Sequence, residues 1–308
     1  MIPNDIAVPG QKRAAPHIKP THKIQEPYPM FINDQIIYLQ LQKTGCTHIA
    51  QLLTEYLGGT SVRKHGRLQC EAADRTVIGS IRDPWDWYVS LFAYGCMGQG
   101  AIQNRLTAGR GQLALQTLRN AVRHPASWAG LPGRLFRQTF GHDTSFWRRV
   151  YADASDAGAF REWLYAIHVP RIQNMVFEDP RPMPLHRAVG LYTARIIYLY
   201  SDPAAWEAEA HAISDQSGLA AFYRANSVLD RTIRTESIAA DLGTVMADVG
   251  RPEITETMLE QHSKSNASKR ADFKHYYDRD AIALVANRDR LVIDTFGYIV
   301  PTDFIETV

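Results

Sequence analysis

The chain has 308 residues, 45% hydrophobic and 21% charged, a composition that excludes a disordered, collagen-like or disulfide-framework protein and leaves room for a buried core. With 34 basic and 32 acidic residues the net charge is +2, so no global field draws the chain to nucleic acid or an anionic membrane, and an anion site has to be local. Cys46, Cys70 and Cys96, without CxxC spacing, suggest neither a disulfide scaffold nor a four-cysteine zinc site and favour a reducing compartment.

The N-terminal residues lack the apolar core of a signal peptide, and no window offers about 18 uninterrupted apolar residues for a membrane span. A cytoplasmic protein without a transmembrane segment is expected. Residues 1–33 carry Pro3, Pro9, Pro16, Pro20, Pro27 and Pro29 among polar residues, a spacing that breaks helix and central strand alike. They read as an arm, which could pack on a neighbouring subunit of a homo-oligomer.

Ile36–Leu41 is a short β-rich run, followed by Gln42-Lys43-Thr44-Gly45-Cys46-Thr47 and then by Ile49, Leu52, Leu53, Tyr56 and Leu57 at helical spacing. This predicts strand, loop and helix, with Gly58-Gly59 as the stop. Thr60–Val62 is a second β-prone run, leading into Arg63-Lys64-His65, and Thr76–Ile81 a third, leading into Arg82-Asp83-Pro84-Trp85. Asp83 can cap and Pro84 can open a helix whose apolar stripe is Trp85, Tyr88, Val89 and Phe92. Strands alternating with helices predict an α/β fold with a parallel sheet. Residues 95–190 read as a largely helical insertion, and Arg195–Tyr200 as either a strand or a buried helical turn. A strand at Arg231–Arg234, a helix over 236–249, a polar loop at 263–270 and a helix over 278–296 complete one domain spanning 34–300, with 301–308 as a tail.

Two segments carry chemistry. A tight glycine-containing turn between strand and helix converges backbone N–H groups on the helix N-terminus, where phosphate binds. Lys43 adds a charge, and the hydroxyls of Thr44 and Thr47 add donors. A Walker A loop ends in Gly-Lys-[Ser/Thr], whereas here lysine precedes glycine, which argues against an ordinary NTPase. On the loop alone, a capped helix beside an exposed lysine explains the pattern equally well. In the second segment, residues 81–92, Arg82 stands at the carboxyl end of a strand, the edge where open α/β sheets bind ligands. Its planar fork suits a second phosphate, with the Ser90 hydroxyl two helical turns on.

Together these segments resemble the sulfotransferases that use 3′-phosphoadenosine 5′-phosphosulfate (PAPS). QKTGCTHI at 42–49 is similar to that family's 5′-phosphosulfate loop, PKTGTTWL, with Gln42, Cys46 and His48 in place of proline, threonine and tryptophan. R-D-P-W-D-W-Y-V-S at 82–90 resembles its 3′-phosphate motif, R-[DN]-P-x-D-x-x-x-S. Arg63-Lys64-His65, the Arg234-x-Glu236 segment and the tail NAS…YYD…FGY resemble bacterial carbohydrate-type members.

The resemblance implies a P-loop-like sheet and a donor site made of Gln42, Lys43, Thr44, Gly45, Cys46, Thr47, His48, Arg82 and Ser90, closed by Ser268, Lys269 and Arg270. It implies an acceptor hydroxyl on a carbohydrate or glycolipid, and no nucleic-acid partner. In-line displacement at sulfur needs charge stabilisation on the bridging oxygen, for which Lys43 is the candidate, and a base, for which His65 is the first candidate and Glu71 the reserve. No His/Asp/Glu cluster demands a metal. Arg234 and Glu236 are expected to pair beneath the site. Trp128, Trp147 and Trp163, among Arg134, Arg137, Arg148, Arg149 and Arg161, could stack on sugar rings or could belong to the core. A nucleotide kinase, or a nucleotide-binding module without turnover, would share the same loop.

Overall fold

The computed structural model describes residues 30–62, 74–109, 143–179, 181–262 and 272–302, with Arg67, Leu68, Ala72 and a few positions between 111 and 122. His65, Glu71, Trp128, Arg134, Arg137, Ser268, Lys269 and Arg270 lie outside the described residues.

The fold is α/β. Strands β1 (Met30–Ile32), β2 (Ile36–Leu39), β3 (Thr60–Val62), β4 (Thr76–Ile81) and β5 (Arg231–Arg234) form one open sheet in the order β3-β1-β2-β4-β5. β2, β4 and β5 run parallel, whereas β1 is antiparallel to both β2 and β3. The sheet is therefore mixed rather than parallel throughout, and Met30–Ile32 belongs to it, not to the arm. The cause is local. Asn33 Oδ1 accepts from the N–H groups of Gln35 at 2.9 Å and Ile36 at 2.6 Å, an Asx turn that folds β1 back on β2 as a hairpin.

Along β2 the side chains alternate between two buried faces, as they must in a strand with a period of two. Ile36 and Tyr38 join Ile78 and Ile233 under α1 (Cys46–Leu57) and α10 (Ile238–Asp248), while Ile37 and Leu39 join Val77 and Ile81 in the larger core on the opposite face. That core is covered by α2 (Pro84–Cys96) and by helices that follow it in the chain. These are α3 (Ala101–Thr107), α4 (Thr144–Val150), α5 (Ala157–Ile167), α6 (Pro170–Val176), α7 (Leu191–Tyr200), α8 (Pro203–Glu209) and α9 (Gln216–Asn226). The described part of 95–190 is thus helical. Beyond α10 come α11 (Glu256–Glu260), α12 (Arg279–Arg288) and α13 (Arg290–Phe296). Among the described residues no helix is long and apolar enough to cross a membrane.

Arg195–Tyr200 is helix, not strand: all of Leu191–Ile197 is buried, a helix apolar around most of its girth. Trp147 and Trp163 are core residues. Trp163 is fully buried, bonds the Tyr151 hydroxyl at 2.6 Å and packs on Phe92 and Phe160. Arg149 pairs with Glu162, and Arg161 with Asp278. The aromatic-basic segment therefore builds the helical layer, and its described members form no sugar platform.

The expected last helix is broken at Asp289. This residue is fully buried, accepts from the Tyr88 hydroxyl at 2.9 Å and from the Thr193 N–H and hydroxyl at 2.9 and 2.8 Å, and has left helical geometry at ψ 21°. A Cβ on Gly190 would stand 2.5 Å from both its carboxylate oxygens, so only glycine lets that carboxylate in.

Candidate functional site

Three loops meet at the carboxyl ends of the parallel strands, the edge where open α/β sheets take ligands. They are Gln42–Gly45 after β2, Arg82–Asp83 after β4 and Thr235–Ser237 after β5. The third loop is tied to β4 by the Thr235 hydroxyl, which donates to Ile81 O at 2.9 Å. It is packed on the first through Ile238, whose Cδ1 lies 2.9 Å from where a Cβ on Gly45 would stand.

The first loop is unusual in its backbone. Gly45 precedes α1 in the left-handed region at φ 73°, and Lys43 also has a positive φ, 68°, alone among the described non-glycine residues. Such a conformation costs a lysine of order 1 kcal/mol or more and persists only where neighbours over-determine it. Two neighbouring side chains do so here. Trp87 Nε1 donates to Gln42 O at 2.8 Å, and Arg82 Nη1 donates to Lys43 O at 3.0 Å. The turn also aims the first amides of α1 outward along the helix axis, where the dipole favours an anion.

Thr44 is fully buried. Its hydroxyl donates to Leu41 O at 2.7 Å and bonds Ser80 Oγ at 2.6 Å, which in turn bonds the Tyr38 hydroxyl at 2.7 Å. The expectation that this hydroxyl reaches a ligand is therefore corrected: it anchors the loop to β4, and Thr44 can meet an anion only through its backbone. Cys46 is buried against the core under α1, while Thr47 is half-exposed.

The Lys43 ammonium lies 4.1 Å from the centre of the Tyr94 ring, a cation–π contact. Tyr94 follows Ser90 by one turn of α2, so that helix runs back beside the loop. Asp83 caps α2 by accepting from Asp86 N at 2.9 Å, with Pro84 at the first helical position. Ser90 is 2% exposed on the same helix. Arg82 Nε donates to Asp86 Oδ2 at 2.6 Å and its Nη2 pairs with the same oxygen, so all three guanidinium nitrogens are engaged. Burial pushes the Asp83 carboxyl up to about 6, with Asp86 and Glu236 adding to the shift.

Arg234 and Glu236 do not pair. Arg234 donates to Phe296 O and lies 5.1 Å from the Tyr298 ring centre, whereas Glu236 accepts from Asp83 N at 2.7 Å. Both brace the site's floor, Arg234 against the end of α13 and Glu236 against the first turn of α2, and both meet Tyr298.

His48, 8% exposed, lines an open depression of about 290 Å³ with Gln51, Leu52, Glu55 and His262. His262 Nε2 bonds the Tyr56 hydroxyl at 2.7 Å.

The contribution of α7 could not be read from the sequence. The Tyr192 hydroxyl accepts from Arg82 N at 2.8 Å and donates to Arg82 O at 2.7 Å, and its ring stacks on Trp87 at 4.5 Å. The Tyr200 hydroxyl does the same for Ser80, at 2.9 and 2.6 Å. Arg195 donates to Gln42 Oε1 at 3.0 Å. One helix thus holds both the end of β4 and the loop after β2. Comparison with protein families, with curated proteins and with solved structures finds no match to this chain.

Proposed function

We propose that this protein is a sulfotransferase, moving the sulfuryl group of PAPS to an acceptor hydroxyl, on a carbohydrate or glycolipid, at the edge formed by a P-loop-like β2–loop–α1 unit. The observation that carries the reading is the juxtaposition of the two motif segments: Arg82, which opens the 3′-phosphate motif, bonds the backbone of Lys43, the lysine of the phosphosulfate loop.

In this reading the amides of Lys43–Thr47 hold the 5′-phosphate and the first turn of α1 supplies its partial positive charge. The acceptor oxygen attacks sulfur in line as the bond from sulfur to the bridging oxygen breaks. The electron pair goes to that oxygen, the acceptor proton goes to His65, and the products are the sulfate ester and adenosine 3′,5′-bisphosphate. Lys43 is the group suited to the developing charge, a point charge on a flexible stem that rests on the Tyr94 face. Arg82 and Ser90 serve the 3′-phosphate, to which the resemblance also assigns Ser268, Lys269 and Arg270. His48 borders the nucleotide.

The test is calorimetric titration with adenosine 3′,5′-bisphosphate, with adenosine 5′-monophosphate and Mg-ATP as controls, repeated on Arg82→Ala. Binding that needs both the 3′-phosphate and Arg82 supports the donor site. A preference for Mg-ATP would move the reading to phosphoryl transfer, and no binding of any of the three would end the nucleotide reading.

A further inference from the structure

Arg195 is 4% exposed, on the largely buried helix α7. Nη1 donates to Gln42 Oε1 at 3.0 Å and Nη2 pairs with Glu178 Oε1 at 2.5 Å, while its Nε has no partner. A buried guanidinium left partly unbonded is costly, and an apolar side chain of the same volume would often serve stability better. The cost is compounded here by a second guanidinium. Arg105 on α3 donates to Phe177 O at 3.1 Å, and burial together with the Arg195 charge lowers its pKa against the pull of Glu178. Glu178 bonds only one of these two cations, Arg195, while its charge also acts on Arg105, an arrangement that packing alone does not explain.

What Arg195 does that an apolar residue could not is grip an amide. Gln42 is the hinge of the loop: its carbonyl is fixed by Trp87, the next residue holds a positive φ, and its side chain turns toward Gly100 and α7. Where a proline would restrict this backbone position by its ring, glutamine restricts it only if its side chain is tied down.

We propose that Arg195, oriented by Glu178, is a positioning residue that acts through the Gln42 side chain to hold the Gln42–Gly45 loop in its anion-binding shape. The consequence for donor binding rests on the sulfotransferase reading; the grip itself does not.

The test is a double-mutant cycle on the full-length protein with Gln42→Ala, Arg195→Met and the double variant, with Glu178→Gln as a further arm. Two quantities are read: amide hydrogen exchange of the peptide spanning 40–50, and the Kd for adenosine 3′,5′-bisphosphate. Each single variant is expected to speed exchange of the loop amides about tenfold relative to the β5 and α10 amides, and the double variant to add nothing further. The Kd should weaken about tenfold in step, and Glu178→Gln should give a smaller change in the same sense. Loop exchange unchanged in Gln42→Ala, or effects of the two single variants that simply add, would overturn the proposal. So would Arg195→Met speeding exchange throughout the molecule while Gln42→Ala leaves the loop as it was, since that is a purely structural arginine. If the wild type does not bind the bisphosphate, the donor reading fails, and the exchange cycle still decides whether Arg195 holds the loop.

Discussion

The Arg82 guanidinium bonds the Lys43 carbonyl with one nitrogen and the Asp86 carboxylate with the other two. The arginine assigned to one phosphate thus also fixes the backbone of the lysine assigned to the other, so altering Arg82 disturbs both, whereas altering the Lys43 side chain does not. Lys43→Ala removes a charge but leaves the carbonyl and its bond. It is expected to lower kcat with the sulfuryl donor about 10²-fold or more while changing donor KM less than tenfold, as loss of a group acting mainly in the transition state does. Arg82→Ala removes a phosphate ligand and a loop fastener together, and should raise KM and lower kcat. Steady-state kinetics on both variants check this; a pure KM effect in Arg82→Ala would show that the fastener is dispensable.

In the sulfotransferase reading, Asp86 and a 3′-phosphate would compete for the Arg82 fork, which Asp86 holds here. Replacing the carboxylate by an amide weakens its hold on Arg82 and removes a negative charge near the ligand. Asp86→Asn should therefore bind adenosine 3′,5′-bisphosphate a few-fold more tightly than the wild type, with affinity for adenosine 5′-monophosphate unchanged. Weaker binding of the bisphosphate would mean instead that Asp86 orients Arg82 for the ligand.

Gly79, in the middle of β4, is a steric requirement. A Cβ there would stand 2.8 Å from Tyr200 Cζ and 2.9 Å from Leu229 Cδ1. Tyr200 cannot yield without losing its two bonds to Ser80, and Ser80 in turn holds Thr44 and Tyr38. Gly79→Ala is expected to cost about 1–3 kcal/mol of folding stability, measured by denaturant unfolding, and to speed exchange at Thr44 beyond what the global loss explains. A variant as stable as the wild type would show that Tyr200 has room to move.

The parts of this site legible in the sequence are those written in local pattern. Ile49, Leu52 and Leu53 at helical spacing, Gly58 as a stop, and Asp83-Pro84 as a cap and first turn all stand where the residues place them. The β1–β2 hairpin was hidden because its signal is one Asn side chain beside a proline-rich stretch. The break at Asp289 was hidden for a different reason: no glycine or proline marks it, and the residue is drawn out of the helix by Tyr88 and Thr193, both remote in sequence. The brace from α7 is the extreme case. Tyr192, Arg195 and Tyr200 lie in an apolar run whose periodicity does not separate helix from strand, and their roles exist only through partners more than a hundred residues away.

The buried titratable groups around Arg288 make the stability of the fold depend on pH. Burial lowers His168 and His186 to about 4, with the Arg288 charge acting in the same direction. Both are held neutral in the folded chain, while the unfolded chain takes up their protons near the ordinary value of 6.5. Between pH 6.5 and 4 the unfolded state binds more protons, so stability falls as pH falls, by up to about 3 kcal/mol for each histidine. Asp289 works in the opposite sense. Burial raises it to about 6, so its ionised form is penalised in the folded state, and stability from this residue is present below about pH 4 and lost as pH rises through 6. Asp83, likewise raised to about 6, adds a second offset, so between about pH 4 and 6 the two histidines and the two aspartates nearly balance, and single substitutions separate their contributions. His186 has no hydrogen-bond partner on either ring nitrogen and meets Phe177 edge-on at 4.7 Å, so His186→Phe keeps the shape and removes the proton. Its unfolding free energy, measured in urea from pH 4.5 to 7.5, should match the wild type near pH 7.5 and rise relative to it toward acid. Asp289→Asn should fall relative to it. Curves for His186→Phe and wild type that run parallel over the whole range would mean that His186 is not protonated on acid unfolding, and that the pH dependence arises elsewhere.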